Sequence, residues 1–362
     1  MNGRNQIKIG GVFSAAGAIL NIRPKVAAAA LLGIALFCSV LGVKRSLGGD
    51  EEGPAIAEGI HNASTSVAAI ERFWAIYYGN DYDDIPVVQA ELEGALRGDP
   101  NNPTLCALLG ATHFWHVGEY KRDPKPDPNA LRQDMPTAAS LFQKAYDLDY
   151  YGHHLIGYIN DDHLPGYWGI TTVHTGQQFR DPSLIAKGDE ILDYAVYQFP
   201  EFNNFNRWAA HNTDPKDSET YKKALDSLWQ GIDSCIGGTI DRANPDIKPY
   251  LHLYTRVGRK KACWWGGDLA PYSFEGYLLN LGNGLVKAGQ VEAAKVIFAD
   301  AQYADNYATW PYRDVLEAIA NSDVNARAAL YADGNPGHEP PLGVPNRSCV
   351  YCHATVPESA AH

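Results

Sequence analysis

Methionine is almost missing from this chain: only Met1 and Met135 occur in 362 residues. Thioether ligation of a metal therefore has next to no candidates. Long runs that alternate apolar and polar residues are absent too, which argues against a sheet. Basic charge is in deficit. Thirty Lys and Arg against 42 Asp and Glu leave a net charge of −12 and a pI near 5.4, a surface that repels phosphate backbones and argues against nucleic acid as a partner. Of the six cysteines only Cys349 and Cys352 form a close pair, with Cys38, Cys106, Cys235 and Cys263 placed singly. A structural zinc site usually takes two such pairs, so half of one is lacking. No segment resembles a known catalytic motif. What is present is ample apolar and aromatic content, 45% and 11%, enough for a folded core.

Residues Val26 to Val43 are 18 consecutive uncharged, mostly apolar positions, long enough to span a bilayer. Arg4, Lys8, Arg23 and Lys25 precede them. Lys44 and Arg45 follow, then Asp50, Glu51 and Glu52. This bias favours an inside N-terminus and an outside body. A cleaved signal peptide is the rival reading. The basic lead is long for one, and the nearest small-x-small triplet, Ala55-Ile56-Ala57, lies well past the apolar run. Cys38 follows bulky Phe37 and is itself followed by apolar residues, unlike a lipoprotein cysteine. The expectation is an uncleaved anchor in a bacterial cytoplasmic membrane, with the body in the periplasm.

The sharpest chemical signal is Cys349-Val350-Tyr351-Cys352-His353. Two cysteines two residues apart, followed at once by histidine, are the attachment pattern of a c-type haem. The thiols bond to the porphyrin vinyl groups and the imidazole takes the iron as proximal ligand. A Cys349–Cys352 disulfide would leave His353 without a purpose, and adjacent Cys352 and His353 are awkward ligands for one tetrahedral ion. Covalent haem attachment belongs to the outer side of the membrane, so this motif and the anchor agree from opposite ends of the chain. The expected cofactor is one covalent haem c, held by Cys349, Cys352 and His353.

Between them the chain repeats itself. Leu281-Gly282, Leu285, Gly289, Ala294, Phe298 and Ala301 match the tetratricopeptide repeat position by position. Thr175-Gly176, Phe179, Leu192, Ala195 and Pro200 keep the same spacing. Val88, Leu92, Ala95 and Asp99-Pro100 match a second helix. Leu109-Gly110 with Ala138, Phe142 and Ala145 looks like one more copy, its helices separated by an insertion from Tyr120 to Met135. No copy carries the family's opening tryptophan, Gly188 stands where alanine is expected, and 203–270 gives no clean match. The body thus resembles a tetratricopeptide-like α-solenoid. That resemblance implies an all-α stack of helical hairpins whose groove binds protein segments. The domain reading is a cytoplasmic segment 1–25, an anchor 26–43, a linker 44–66, a helical domain 67–332 and a haem-binding tail 333–362.

Asp333 to Pro345 is too rich in glycine and proline for regular helix, and only nine residues follow His353. A standalone cytochrome domain has no room, so the haem is expected to lie against the repeat body or a partner. Candidates for the iron's second axial position are His338, with His153, His154, His163 and Met135 as weaker ones. Asp161, Asp162, Trp168 and His174 lie in the same histidine-rich region, and an irregular repeat connection explains it equally well. His113 and His116 share a helix face at i, i+3. Trp264 and Trp265 could flank a porphyrin or cap a helix pair. Cys235 and Cys263 are disulfide candidates in an oxidising compartment. Asn62-Ala-Ser and Asn346-Arg-Ser match the glycosylation triplet, a frequent chance match. The expected function is single-electron transfer to a protein partner docked on the repeats. An assembly protein with a structural or sensory haem is the alternative, and a haem enzyme ranks last. The short tail also leaves room for a homo-oligomer in which a neighbouring copy supplies a ligand.

Overall fold

The structure is a computed structural model that describes residues 53–79, 81–122, 125, 127–149, 163–253, 270–333, 335, 337–340, 342 and 350–353. The chain divides into Met1–Glu58 and Gly59–His362, and of the first unit only residues 53–58 are described. In chain order the α-helices are α1 (Gly53–Gly79), α2 (Ile85–Gly98), α3 (Pro103–Gly118), α4 (Pro128–Leu148), α5 (Leu164–Phe179), α6 (Pro182–Gln198) and α7 (Pro200–His211). Then follow α8 (Glu219–Ile236), α9 (Ser273–Lys287), α10 (Val291–Ala301), α11 (Arg313–Ala320), α12 (Val324–Ala332) and the single turn α13 (Val350–His353). Short 3-10 turns join some of them, and no strand occurs among the described residues.

One dipeptide starts several of these helices. Asn102-Pro103, Asp127-Pro128 and Asp181-Pro182 each place a capping side chain before a proline at the first helical position. The caps accept from the backbone N–H of Leu105, of Asn129, and of Ser183 and Leu184 respectively. Proline costs nothing there because its missing N–H would have had no partner inside the helix. Capping by Asp127 brings α4 forward into the segment read as an insertion. Met135 is consequently not in a loop but in the second turn of a helix, and buried. Pro136 sits inside the same helix and cannot donate to the carbonyl of Arg132. The Gln178 side chain, from α5, makes that bond instead at 2.7 Å.

Consecutive helices pack on one another from α2 through α8, α5 also touches α7, and α9 packs against α8, α10, α12 and α13. The body is all-α and compatible with a helical-repeat solenoid. The seam positions are where the repeat spacing puts them. Val88, Leu92 and Ala95 are buried in α2, Phe142 and Ala145 in α4, and Phe298 and Ala301 in α10. A Cβ on Gly282 would lie 2.2 Å from the Phe298 ring, so α9 and α10 approach where only hydrogen fits. At Gly188 a Cβ would meet the backbone nitrogen of Val173 at 2.7 Å. The alanine expected of the repeat is replaced because α5 and α6 are too close to admit it.

Some expectations differ from the fold. Helix α1 already begins at Gly53, so helical structure starts inside the segment read as linker 44–66. Phe179 is largely exposed at the end of α5, under the Arg132 guanidinium at 5.5 Å, rather than filling a seam. The stretch without a repeat match holds a packed pair, α7 and α8. It escaped because α7 turns polar residues inward: Asn203, Asn204, Asn206 and Arg207 are all buried. Residues 26–43 lie outside the described residues, and no described helix is long and apolar enough to cross a membrane.

Two large apolar clusters result. Phe73, Leu92, Leu105, Leu108 and Phe142 belong to one, built mainly from α1 to α4. Trp208, Tyr221, Leu228, Leu278 and Phe298 belong to the other, built from α7 to α12.

Candidate functional site

The short turn α13 carries Cys352 and His353 and docks on the body through both side chain and backbone. Its Cys352 carbonyl accepts from the Tyr272 N–H at 3.1 Å, at the start of α9. Cys352 packs against the second apolar cluster, with Sγ 3.9 Å from the Ser273 carbonyl. Burial, with the nearby Glu275 carboxyl, pushes its thiol up to about 12, so it stays protonated and free. Glu275 is itself buried, which raises its own pKa to about 7 against the N–H groups of Glu275 and Asn306. Cys349 lies outside the described residues.

His353 turns the other way, toward Tyr77 of α1, a residue packed on the first apolar cluster. The Tyr77 hydroxyl lies 3.5 Å from Nε2, and the rings meet edge to face with centroids 5.3 Å apart. One turn of helix therefore touches both cores. Tyr77 is set by its own neighbours: Phe73 stacks at 5.6 Å, Trp115 meets it at 5.1 Å and Trp74 at 6.1 Å. The row continues from Trp115 to Tyr82 at 6.1 Å and from Tyr82 to His116 at 6.2 Å. Arg122 covers the outer end, 4.8 Å from the Tyr82 ring and 2.7 Å from Glu119.

His113 and His116 share a face, as their spacing required, and one carboxylate takes both. Asp134 accepts from His113 Nδ1 at 2.6 Å and from His116 Nδ1 at 2.7 Å. Burial alone would raise Asp134, but these two bonds hold it below the usual carboxylate range. Gln89 contacts the His113 ring. With each carboxylate oxygen taken by an imidazole, this is a structural knot between α3 and α4. No group of three metal-ligating side chains suited to an ion occurs among the described residues.

The remaining candidates are scattered. His338 is exposed, its Nδ1 paired with Asp333 at 2.7 Å and its Nε2 with the Asn335 amide at 3.1 Å. Buried His163 precedes α5 and lies between Phe199 and Phe202, with centroids at 5.1 and 4.3 Å. His174 bonds to Gln177, and burial lowers its pKa. His153, His154, Trp264, Trp265 and Cys263 lie outside the described residues. Cys235 is disulfide-bonded, as one half of the expected pair would be.

Tyr77, Trp115, Tyr272, Glu275 and Asp134 were not singled out from the sequence. The run Phe73-Trp74-Ala75-Ile76-Tyr77-Tyr78 was the available signal, an aromatic density beyond what one seam needs. A further cluster ties down the tail. Lys287, 2% exposed, donates to the Asn212 carbonyl at 3.1 Å and faces Glu339 at 3.6 Å. It lies 5.0 Å from the Tyr221 ring and 6.0 Å from that of Tyr331, whose hydroxyl donates to the Pro340 carbonyl at 2.6 Å. Compared with family models, curated proteins and solved structures, the chain matches none of them.

Proposed function

We propose that this protein is a membrane-anchored, extracytoplasmic monohaem c-type cytochrome on a tetratricopeptide-like scaffold, passing single electrons to or from a protein partner. One observation carries the reading. The end of the Cys349–His353 motif is seated on the helical body, with its thiol free and its imidazole facing an aromatic wall.

The residues present fit a covalent haem. Cys352 is not in a disulfide and would be available to form a thioether with a vinyl group, and Cys349 would supply the second bond. His353 presents Nε2 to Tyr77, whose own ring neighbours Trp74 and Trp115 add flat apolar surface of the kind a porphyrin face packs on. Haem, when bound, supplies the one-electron chemistry. The chain's own residues would hold it at a set place: Tyr272 anchors the turn by its backbone, and the Lys287–Glu339 contact ties the preceding tail to α9. The row Tyr77, Trp115, Tyr82 leads from His353 into the first apolar cluster and would offer a short route for an electron.

Reduced-minus-oxidised spectra of the purified full chain, produced with a haem c maturation system, test this. We expect the α-band of haem c and its loss in the Cys349→Ser, Cys352→Ser double variant. No such band in the parent chain, or haem retained by the double variant, would end the reading.

A further inference from the structure

The tail ahead of the Cys349–His353 motif rests on the body at three points, and together they describe a ligand. Glu339 brings a carboxylate to the Lys287 ammonium at 3.6 Å. The Pro340 carbonyl accepts from the Tyr331 hydroxyl at 2.6 Å. Leu342 packs against the second apolar cluster. A carboxylate, a backbone carbonyl and a leucine in so short a run are the anchors by which an extended segment is recognised. We propose that this seat, built by Lys287 of α9 and Tyr331 of α12, is a docking site for an acidic segment of a partner protein, Glu-Pro-x-Leu in type. The chain's own residues 339–342 occupy it as an autoinhibitory stand-in. The inference does not depend on the haem reading.

The seat is made for a negative charge. Lys287 is 2% exposed, and a buried ammonium left without a counter-charge is costly. It donates to the Asn212 carbonyl at 3.1 Å and lies near the Tyr221 and Tyr331 rings at 5.0 and 6.0 Å. These contacts fix its direction, but none of them is anionic. Asp214 acts on it from further away and is itself paired with His211 at 2.8 Å. Among the described residues, Glu339 is the one carboxylate within ion-pair distance of Lys287.

The two sides of the contact are unlike. The receptor side is buried and set in place, with Lys287 and Tyr331 both inside the fold. On the ligand side the pair is longer than a hydrogen bond, and about a third of the Glu339 side chain stays in solvent. A contact of that kind opens locally at small cost. The incoming segment has only to displace a tethered rival, whose effective concentration is on the order of millimolar.

Fluorescence anisotropy of the purified full chain in detergent, with a labelled peptide of residues 338–344, provides the test. We expect saturable binding, about five-fold tighter to Glu339→Gln than to the parent, because the variant's own tail competes less. The same peptide with Gln in place of Glu should bind about five-fold more weakly to either chain. Lys287→Met should lose this preference for the Glu peptide. Should that variant not fold, Tyr331→Phe is the second one, expected to weaken both peptides alike and to keep the preference. Peptide binding to the parent should also speed amide exchange at residues 338, 339 and 342. Absence of binding to Glu339→Gln, equal affinity for the Glu and Gln peptides, or binding that leaves exchange in the tail unchanged overturns the proposal. A parent chain that dimerises with rising concentration, and that the peptide returns to monomer, gives the seat to a second copy's tail and overturns the partner reading.

Discussion

Tyr77 and His353 stand 276 residues apart in the chain and meet at 3.5 Å. The contact closes the C-terminal motif onto the first described helix. Cys352, the residue before, packs against the opposite apolar cluster. A tail that looks detachable in sequence is thereby placed by the whole body, and what fixes it is open to measurement.

Lys287 and Glu339 hold the tail ahead of the motif. Glu339 is about one-third exposed, so its pairing with the buried ammonium is partly screened. Glu339→Gln should cost about 1 kcal/mol and speed amide hydrogen exchange near residues 338–342, with α2 to α4 unchanged. Tyr331→Phe, which loses the bond to the Pro340 carbonyl, should act in the same direction.

His211 sets a pH dependence. It is buried between Asp189 at 2.7 Å and Asp214 at 2.8 Å. Burial opposes its charge, but the two carboxylates prevail and raise its pKa from 6.5 to about 9. Because the folded value is the higher one, the stabilisation is complete below pH 6.5 and is lost as pH rises through 9. Urea unfolding of His211→Gln should show a deficit of roughly 2–3 kcal/mol near pH 6 that shrinks by pH 9.5. A deficit constant over that range would count against the charged pair.

Gly188 tests the repeat packing. Restoring the alanine expected at this position should destabilise by roughly 1–3 kcal/mol, because the added methyl overpacks against α5. Gly94→Ala, in a helix interior where the nearest atom would be the Arg97 guanidinium at 3.6 Å, should instead stabilise by about 0.5–1 kcal/mol. Thermal unfolding of both variants reads the opposite signs.

Pro136 and Gln178 act as a unit. Gln178→Ala leaves the Arg132 carbonyl without its side-chain donor and should cost about 1 kcal/mol. In a Pro136→Ala background the backbone supplies the bond, and the same change should be nearly neutral. Additive effects in the double-mutant cycle would show that the two are unrelated.

Much of the fold was legible because its determinants are local. Gly282 with Phe298 and Gly110 with Phe142 come from helices that follow one another in the chain and meet in space. They could be read as hairpins before any helix was placed. The pair α7 and α8 could not, since Asn203, Asn206 and Arg207 point inward and break the apolar stripe. Their burial makes sense only with their partners in view: Asn203 donates to the Ala195 carbonyl, Asn206 donates to Asn203, and Arg207 pairs with Asp193. In the site, Cys352 and His353 were legible as a motif. Asp134 was not, because nothing in the spacing of His113 and His116 says which carboxylate arrives from the next helix.

By itself the sequence determined an all-α body of neighbouring helix pairs and singled out the Cys349–His353 motif. Each of these depends on residues within a few positions of one another, where backbone geometry leaves few choices. Only the tertiary structure decided that His353 faces Tyr77, that Cys352 is buried beside Glu275, and that Lys287 receives Glu339. Those pairings span long stretches of chain and cost loop-closure entropy that no single contact offsets. They exist because the helices between them have already packed, and the summed burial of two apolar cores fixes where the tail can lie.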